Sequence, residues 1–254
     1  MKHKTLKITA DVAVSFIGPP LDLGPMPSVF YFALSAEESL DQDPYNQPAL
    51  FLTHFPIRVF SMTLPGHGPG LPATEALTVW SHDFHHGNDI VTKCIDKIAL
   101  AFHDLKRKDL FIPEKIGVAG LSRGAFIAAH AAARIPDISA ILGFAPLTKL
   151  TYAREFHELQ NHPLVQSLNL EHLIHPLIGK TLRFYIGNHD TRVGTAHCFD
   201  FIHALADASV QKKIRSPNVE LIIGPSIGHQ GHGTAKDVFR NGAEWLASQL
   251  KVVS

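Results

Sequence analysis

Apolar residues fall along the chain in short runs, and between those runs they recur at intervals of three and four. The runs at 6–16 (one strand or two), 29–34, 57–62, 116–119, 138–144, 182–186 and 219–223 predict strands. The helical spacing predicts helices over 89–106, 122–134, 195–210 and 235–250. In the first of these, Ile90, Ile95, Ile98, Phe102 and Leu105 keep to one face. The second carries six alanines between 125 and 133, small enough to let a central helix lie close against a sheet. The third is expected to bury Phe199, Ile202, Leu205 and Ala206, and the last Val238, Trp245, Leu246 and Leu250. Strands that alternate with helices predict a mostly parallel sheet covered on both faces.

Two segments break the alternation. Residues 35–55 are polar, with Asp41, Asp43, Pro44 and Pro48, and predict a loop with a short helix. Residues 151–179 hold four histidines and two prolines and predict short helical pieces, taken as a small cap over the sheet. No repeat or second core stands out. A single α/β domain over 1–254, with 151–179 as its cap insertion, is the expected organisation.

Composition narrows the partners. Basic and acidic residues balance at 23 each, so there is no electrostatic footprint for nucleic acid or an anionic membrane. The first fourteen residues include Lys2, Lys4, Lys7 and Asp11 and lack the apolar stretch of a signal peptide, and no apolar run reaches membrane-spanning length. Cys94 and Cys198 have no metal-ligand spacing. A reducing, cytoplasmic setting with both thiols buried is the expectation.

The chemistry concentrates after the fourth of these apolar runs. Gly120-Leu121-Ser122-Arg123-Gly124 stands between the run Ile116-Gly117-Val118-Ala119 and the alanine-rich helix. A serine on a tight strand-to-helix turn has its hydroxyl pushed into the open, and glycines on either side admit the close backbone approach that the turn demands. Serine is a poor nucleophile without a base, and the base needs an orienting acid. Strand 182–186 leads into Gly187-Asn188-His189-Asp190, which places Asp190 where ligand-facing groups of open α/β sheets lie. Strand 219–223 leads through Gly224-Pro225-Ser226-Ile227 to Gly228-His229. His232 competes for the role of base; the Gly-His end of the loop favours His229. Asp190 as a helix cap near Thr195, or as a partner of Arg192, is the competing structural role. His67 is expected to shape its turn, and His82, His85 and His86 to form the polar start of a helix rather than a metal site.

These landmarks resemble the α/β-hydrolase superfamily over nearly the whole chain. Leu64-Pro65-Gly66-His67-Gly68 is similar to the turn that follows the fourth strand in many members, Gly187-x-x-Asp190 with Val193 to the acid loop, and Val219-Glu220-Leu221 through Gly228-His229 to the histidine loop. The esterase and prolyl-oligopeptidase-like branch looks nearest. The resemblance implies an eight-stranded, mostly parallel sheet and a Ser122–His229–Asp190 triad. It also implies an oxyanion hole from backbone N–H groups: Arg123 supplies one, and Ser35 the other, with Leu34 as the alternative. The run Ala33-Leu34-Ser35-Ala36 departs from the His-Gly or Gly-Gly common there. Thr63 stands near a position where many relatives have Asp, which braces loops, so little effect on the chemistry is expected.

The implied function is cleavage of a carboxylic ester through an acyl-enzyme, with no metal or organic cofactor. The substrate would be a small ester or a short peptide. A prolyl-oligopeptidase-like peptidase or amidase is the alternative enzyme, and a non-catalytic ligand-binding protein the alternative of another class. Phe156, Leu159, Leu164 and Leu168 are candidates either for an apolar pocket or for packing within the cap. The oligomeric state leaves no trace in the sequence.

Overall fold

The computed structural model describes residues 2–68 and 70–252. Its strands are β1 (Lys4–Lys7), β2 (Ala13–Ile17), β3 (Met26–Phe32), β4 (Arg58–Ser61), β5 (Phe111–Leu121), β6 (Ala140–Phe144), β7 (Thr181–Gly187) and β8 (Val219–Gly224). They form one sheet in the order β1-β2-β4-β3-β5-β6-β7-β8. β2 runs antiparallel to both its neighbours, and every pair from β4 to β8 is parallel. With helices on both faces, this is the α/β-hydrolase fold that the landmarks implied. The run 6–16 is two strands, joined across a reversal at residues 8–12.

The helices are α1 (Ala36–Asp41), α2 (Gln47–Leu52), α3 (Ala76–His85), α4 (Ile90–Arg107), α5 (Arg123–Arg134), α6 (Pro163–Ser167), α7 (Ile174–Leu177), α8 (Thr195–Gln211) and α9 (Lys236–Gln249). Strand residues alternate between two cores, as the period of a strand requires. Phe30, Phe32 and Val118 face one core, completed by Trp80, Ile98, Phe102, Phe126 and Phe201. Val29, Tyr31 and Ala119 face the other, completed by Leu40, Leu52, Phe239 and Leu246.

Several sequence expectations shift, the first being that residues 35–55 hold two short helices, α1 and α2, where one was expected. α3 was not foreseen, although Leu77, Trp80 and Phe84 have helical spacing and are buried. His82, His85 and His86 therefore close this helix instead of opening one. α8 turns a different face inward, burying Cys198, Phe201, Ile202 and Leu205 and leaving Phe199 half exposed. In the segment of short helical turns from 150 to 177, Phe156, Leu159 and Leu168 pack into the first core, with Leu164 partly buried against it; they are packing residues, not pocket walls.

α5 lies so close to the sheet that a Cβ on Gly124 would stand 2.0 Å from the Phe32 carbonyl oxygen. The obstacle is backbone, which cannot swing aside as a side chain can. Gly124→Ala should therefore lower unfolding stability in urea by about 3 kcal/mol or more. A loss below about 1 kcal/mol would mean that α5 can lift from the sheet at little cost.

Candidate active site

The end of β5 makes a sharp turn into α5 at Ser122, whose φ of 56° and ψ of −118° are strained for a residue with a side chain. The surrounding backbone fixes this geometry. Ser122 N–H donates to Phe144 O at 2.8 Å, and Ser122 O accepts from Leu147 N–H at 3.2 Å. Gly120 allows the turn to close, since a Cβ there would fall 2.3 Å from the Ala125 nitrogen. The hydroxyl is left facing outward at the C-terminal rim of the sheet, with no bond to its own helix.

Two further loops at this rim bring ionisable groups to that hydroxyl. After β7, Asp190 is buried to the last atom of its side chain. Its Oδ1 accepts from Arg192 N–H at 2.9 Å and Val193 N–H at 3.1 Å. Its backbone anchors the start of α8: Asp190 N–H donates to Thr195 Oγ1 at 3.0 Å, and that hydroxyl donates to Gly187 O at 2.6 Å. The carboxylate thus makes a local turn, as the capping alternative had it, but keeps Oδ2 free for a partner from elsewhere. It does not pair with the Arg192 guanidinium, which goes to Glu155 instead.

The partner is His232, not His229. His232 Nδ1 lies 2.7 Å from Asp190 Oδ2, and His232 Nε2 lies 2.8 Å from Ser122 Oγ. With the carboxylate accepting from Nδ1–H, the lone pair of neutral imidazole is on Nε2, directed at the serine O–H. His229 is exposed and starts a tight turn, its carbonyl accepting from His232 N–H at 3.1 Å.

The loop's anchor explains the three-residue correction. Thr191 N–H donates to Gln230 O at 3.0 Å, and His189 N–H to Ser226 Oγ at 2.6 Å, which zips the loop after β8 to the loop after β7. Gly231 is pressed against the acid loop, where a Cβ would meet His189 O at 2.3 Å. The residue after Gly231 is the one delivered to Asp190. The loop after β8 contains two Gly-His pairs, Gly228-His229 and Gly231-His232, and the pattern alone does not choose between them.

Of the N–H groups expected at the oxyanion hole, one is free among the described residues and the other is engaged within the chain. Arg123 N–H, at the head of α5, donates to no protein group among the described residues and stands beside the serine. Ser35 N–H is committed: it donates to Glu38 Oε2 at 3.2 Å within a reciprocal capping box that starts α1. The alternative, Leu34 N–H, donates to Ser39 Oγ at 2.9 Å. Thr63 Oγ1 accepts from Ala36 N–H at 3.1 Å, so it does brace this loop. The spacing Ser35-x-x-Glu38 is a capping signature that was legible in the sequence.

Buried charge surrounds the rim. Arg123 Nε–H donates to His67 Nε2 at 2.9 Å, and Arg123 Nη2 donates to Ala73 O at 2.8 Å. Burial, with the Arg123 cation beside it, holds the His67 imidazole down at about 4, so it is neutral. Arg192 and Glu155 form a two-pronged pair at 2.9 and 2.8 Å. Tyr152 Oη, also from segment 150–177, donates to Thr191 O at 3.4 Å. Cys94 and Cys198 are free and buried. Among the described residues, no three His, Cys, Asp or Glu gather as metal ligands, and no helix is long and apolar enough to cross a membrane.

No family model and no curated protein matches the chain by sequence. Solved structures do match in shape. TT1662 from Thermus thermophilus is 17% identical, with a TM-score of 0.70 and 99% of each chain covered. An esterase from Pyrococcus furiosus is 17% identical, with a TM-score of 0.64, over 98% of this chain and 91% of that one. Prolyl oligopeptidase B from Galerina marginata, bound to a 35-residue hydrolysis and macrocyclization substrate, is 16% identical with a TM-score of 0.70, over 100% of this chain. This chain spans only 37% of that oligopeptidase. At such identities the likeness establishes the fold.

The Glu155–Arg192 pair yields a prediction. Burial alone would raise the Glu155 carboxyl, but the hydrogen bonds and charge of Arg192 outweigh it and hold the group below its ordinary 4.5. A depressed carboxyl contributes stability above its unfolded value and loses it as pH falls through the folded one. Glu155→Gln should therefore cost about 2 kcal/mol at neutral pH, with the gap to wild type closing below about pH 4. Urea melts across that range measure it; a gap that does not change with pH would refute the ionic account.

Proposed function

We propose that the protein is a serine hydrolase that cleaves carboxylic esters, with Ser122 as nucleophile, His232 as base and Asp190 as the acid that orients it. The observation that carries this reading is the unbroken hydrogen-bonded line from Ser122 Oγ through His232 to Asp190 Oδ2, at 2.8 and 2.7 Å. Three separate loops supply its members, and each is pinned by its own backbone bonds. Such a line serves general-base activation of a hydroxyl.

In this mechanism Ser122 Oγ attacks the ester carbonyl as His232 Nε2 takes its proton. The carbonyl oxygen becomes an oxyanion facing Arg123 N–H and the positive end of α5. His232 hands the proton to the departing alkoxide, which leaves as the alcohol while the acyl group stays bonded to Ser122 Oγ. Water, activated by the same nitrogen, attacks the acyl carbonyl and releases the acid. Asp190 stays charged throughout and stabilises the imidazolium. Ser35 N–H can act as a second donor only when Glu38 releases it. Segment 151–179 is taken as a cap, because its Glu155 and Tyr152 grip the acid loop. The buried, unbridged cysteines suit a cytoplasmic setting.

Two other readings each have one supporting observation. A peptide substrate is favoured by the likeness to prolyl oligopeptidase B. A ligand-binding role without turnover is favoured by the commitment of both Ser35 and Leu34 N–H groups to protein acceptors.

A fluorophosphonate probe should label wild-type protein at Ser122 and leave Ser122→Ala unlabelled. With p-nitrophenyl acyl esters, Ser122→Ala should lower kcat by about 10⁶-fold and His232→Ala by a comparable factor. His229→Ala should stay within about threefold of wild type, as befits an exposed side chain outside the line. Aminoacyl-anilides assayed alongside separate amide from ester cleavage. Absence of labelling in wild type would leave the binding role, and labelling that persists in Ser122→Ala would remove the proposed nucleophile.

A further inference from the structure

Arg123 brings a full positive charge to the residue beside the nucleophile, and the mechanism above uses only its backbone. Its guanidinium has five N–H donors. Nε–H goes to His67 and one N–H of Nη2 to Ala73 O, both of them uncharged acceptors. Both N–H groups on Nη1 and the second on Nη2 have no acceptor among the described residues. No carboxylate lies within ion-pair distance of this side chain among those residues. The two carboxylates in electrostatic reach, Glu155 and Glu38, are already taken by Arg192 and by Ser35 N–H.

The contrast with Arg192 is informative. That guanidinium is neutralised by a two-pronged carboxylate of the chain itself. Arg123 is likewise held at two points, yet no carboxylate among the described residues pairs with it. Burial, and then the Arg192 cation, lower its pKa to about 10, so it remains charged at neutral pH. A largely buried, oriented cation without an anion is unfavourable on its own and becomes favourable once an anion arrives. The free Nη1 and Nη2 donors form the planar fork that matches a carboxylate.

We propose that Arg123 is a specificity-determining residue that binds a carboxylate of the substrate, so that the preferred ester is a half-ester of a dicarboxylic acid or another acyl compound with a free carboxylate a few bonds from the scissile carbonyl. This rests on the serine-hydrolase reading for the reaction, but the anion site itself can be measured without turnover. The chain holds the fork through His67 and Ala73 so that the incoming carboxylate meets donors already in place, and the ester carbonyl is set against Ser122 by the same contact.

The test is titration calorimetry on Ser122→Ala protein, which holds an ester uncleaved. Monomethyl esters of malonate, succinate, glutarate and adipate are compared with the corresponding neutral dimethyl esters. At least one half-ester should bind about 10-fold or more tightly than its neutral counterpart, on the scale of a charge-assisted pair. The preference should vanish when Arg123→Gln is added and persist in part with Arg123→Lys, which keeps the charge without the fork. A general loss of structure would weaken both esters together, and the preference in the protein with Arg123 intact needs no substitution at that residue. Equal affinity for the two ester types, binding of neither, a preference that survives Arg123→Gln, or tighter binding of inorganic phosphate than of any half-ester overturns the proposal. Fluorophosphonate labelling without half-ester preference removes the anion site and keeps the hydrolase; half-ester preference without labelling does the reverse.

Discussion

A carboxylate with no exposure to solvent has to be satisfied by its surroundings, and Asp190 is such a group. Two backbone N–H groups of its own loop satisfy one oxygen, and the His232 ring satisfies the other. The rest of the rim follows from that requirement. To put an imidazole N–H at Oδ2, the loop after β8 must reach across to the loop after β7. The bonds through Thr191, His189 and Ser226, with Gly231 wedged against the acid loop, hold it there. Once the ring is placed and its proton is drawn to Nδ1, its other nitrogen is left as an acceptor for Ser122.

The serine is presented from the opposite direction by packing. Gly124 against Phe32 and Gly120 against the first turn of α5 bring helix and sheet so close that Ser122 has to take a strained backbone conformation. Strain on one side and a buried charge on the other meet at a single oxygen. Each arrangement would be costly alone. Together they define a hydroxyl oriented before any ligand arrives, which is the geometric condition for nucleophilic catalysis.

Much of this was legible in the chain. The strand runs, the alanine-rich helix and the Gly120–Gly124 turn fall where their patterns placed them, because burial in a parallel sheet writes a strong signal. Asp190 was legible because it follows a strand end directly. His232 was not, because loop geometry has no period: two Gly-His pairs three residues apart look alike until the close contact of Gly231 with the acid loop selects one. The Ser35–Glu38 capping box is legible in its Ser-x-x-Glu spacing, which commits the Ser35 N–H to the helix start. Phe199 misled because α8 has apolar residues on more than one face, and the helix turned Phe201 and Cys198 inward instead. The Arg123 side chain had no signal at all, since its partners His67 and Ala73 are brought to it only by the fold.

The most direct measurement of the central claim is a crystal structure of the protein after reaction with a fluorophosphonate. The account predicts phosphorus bonded to Ser122 Oγ, the phosphoryl oxygen facing Arg123 N–H, and His232, still joined to Asp190, within hydrogen-bond distance of the adduct. An adduct on another residue, or one with His229 in the place assigned to His232, would contradict it.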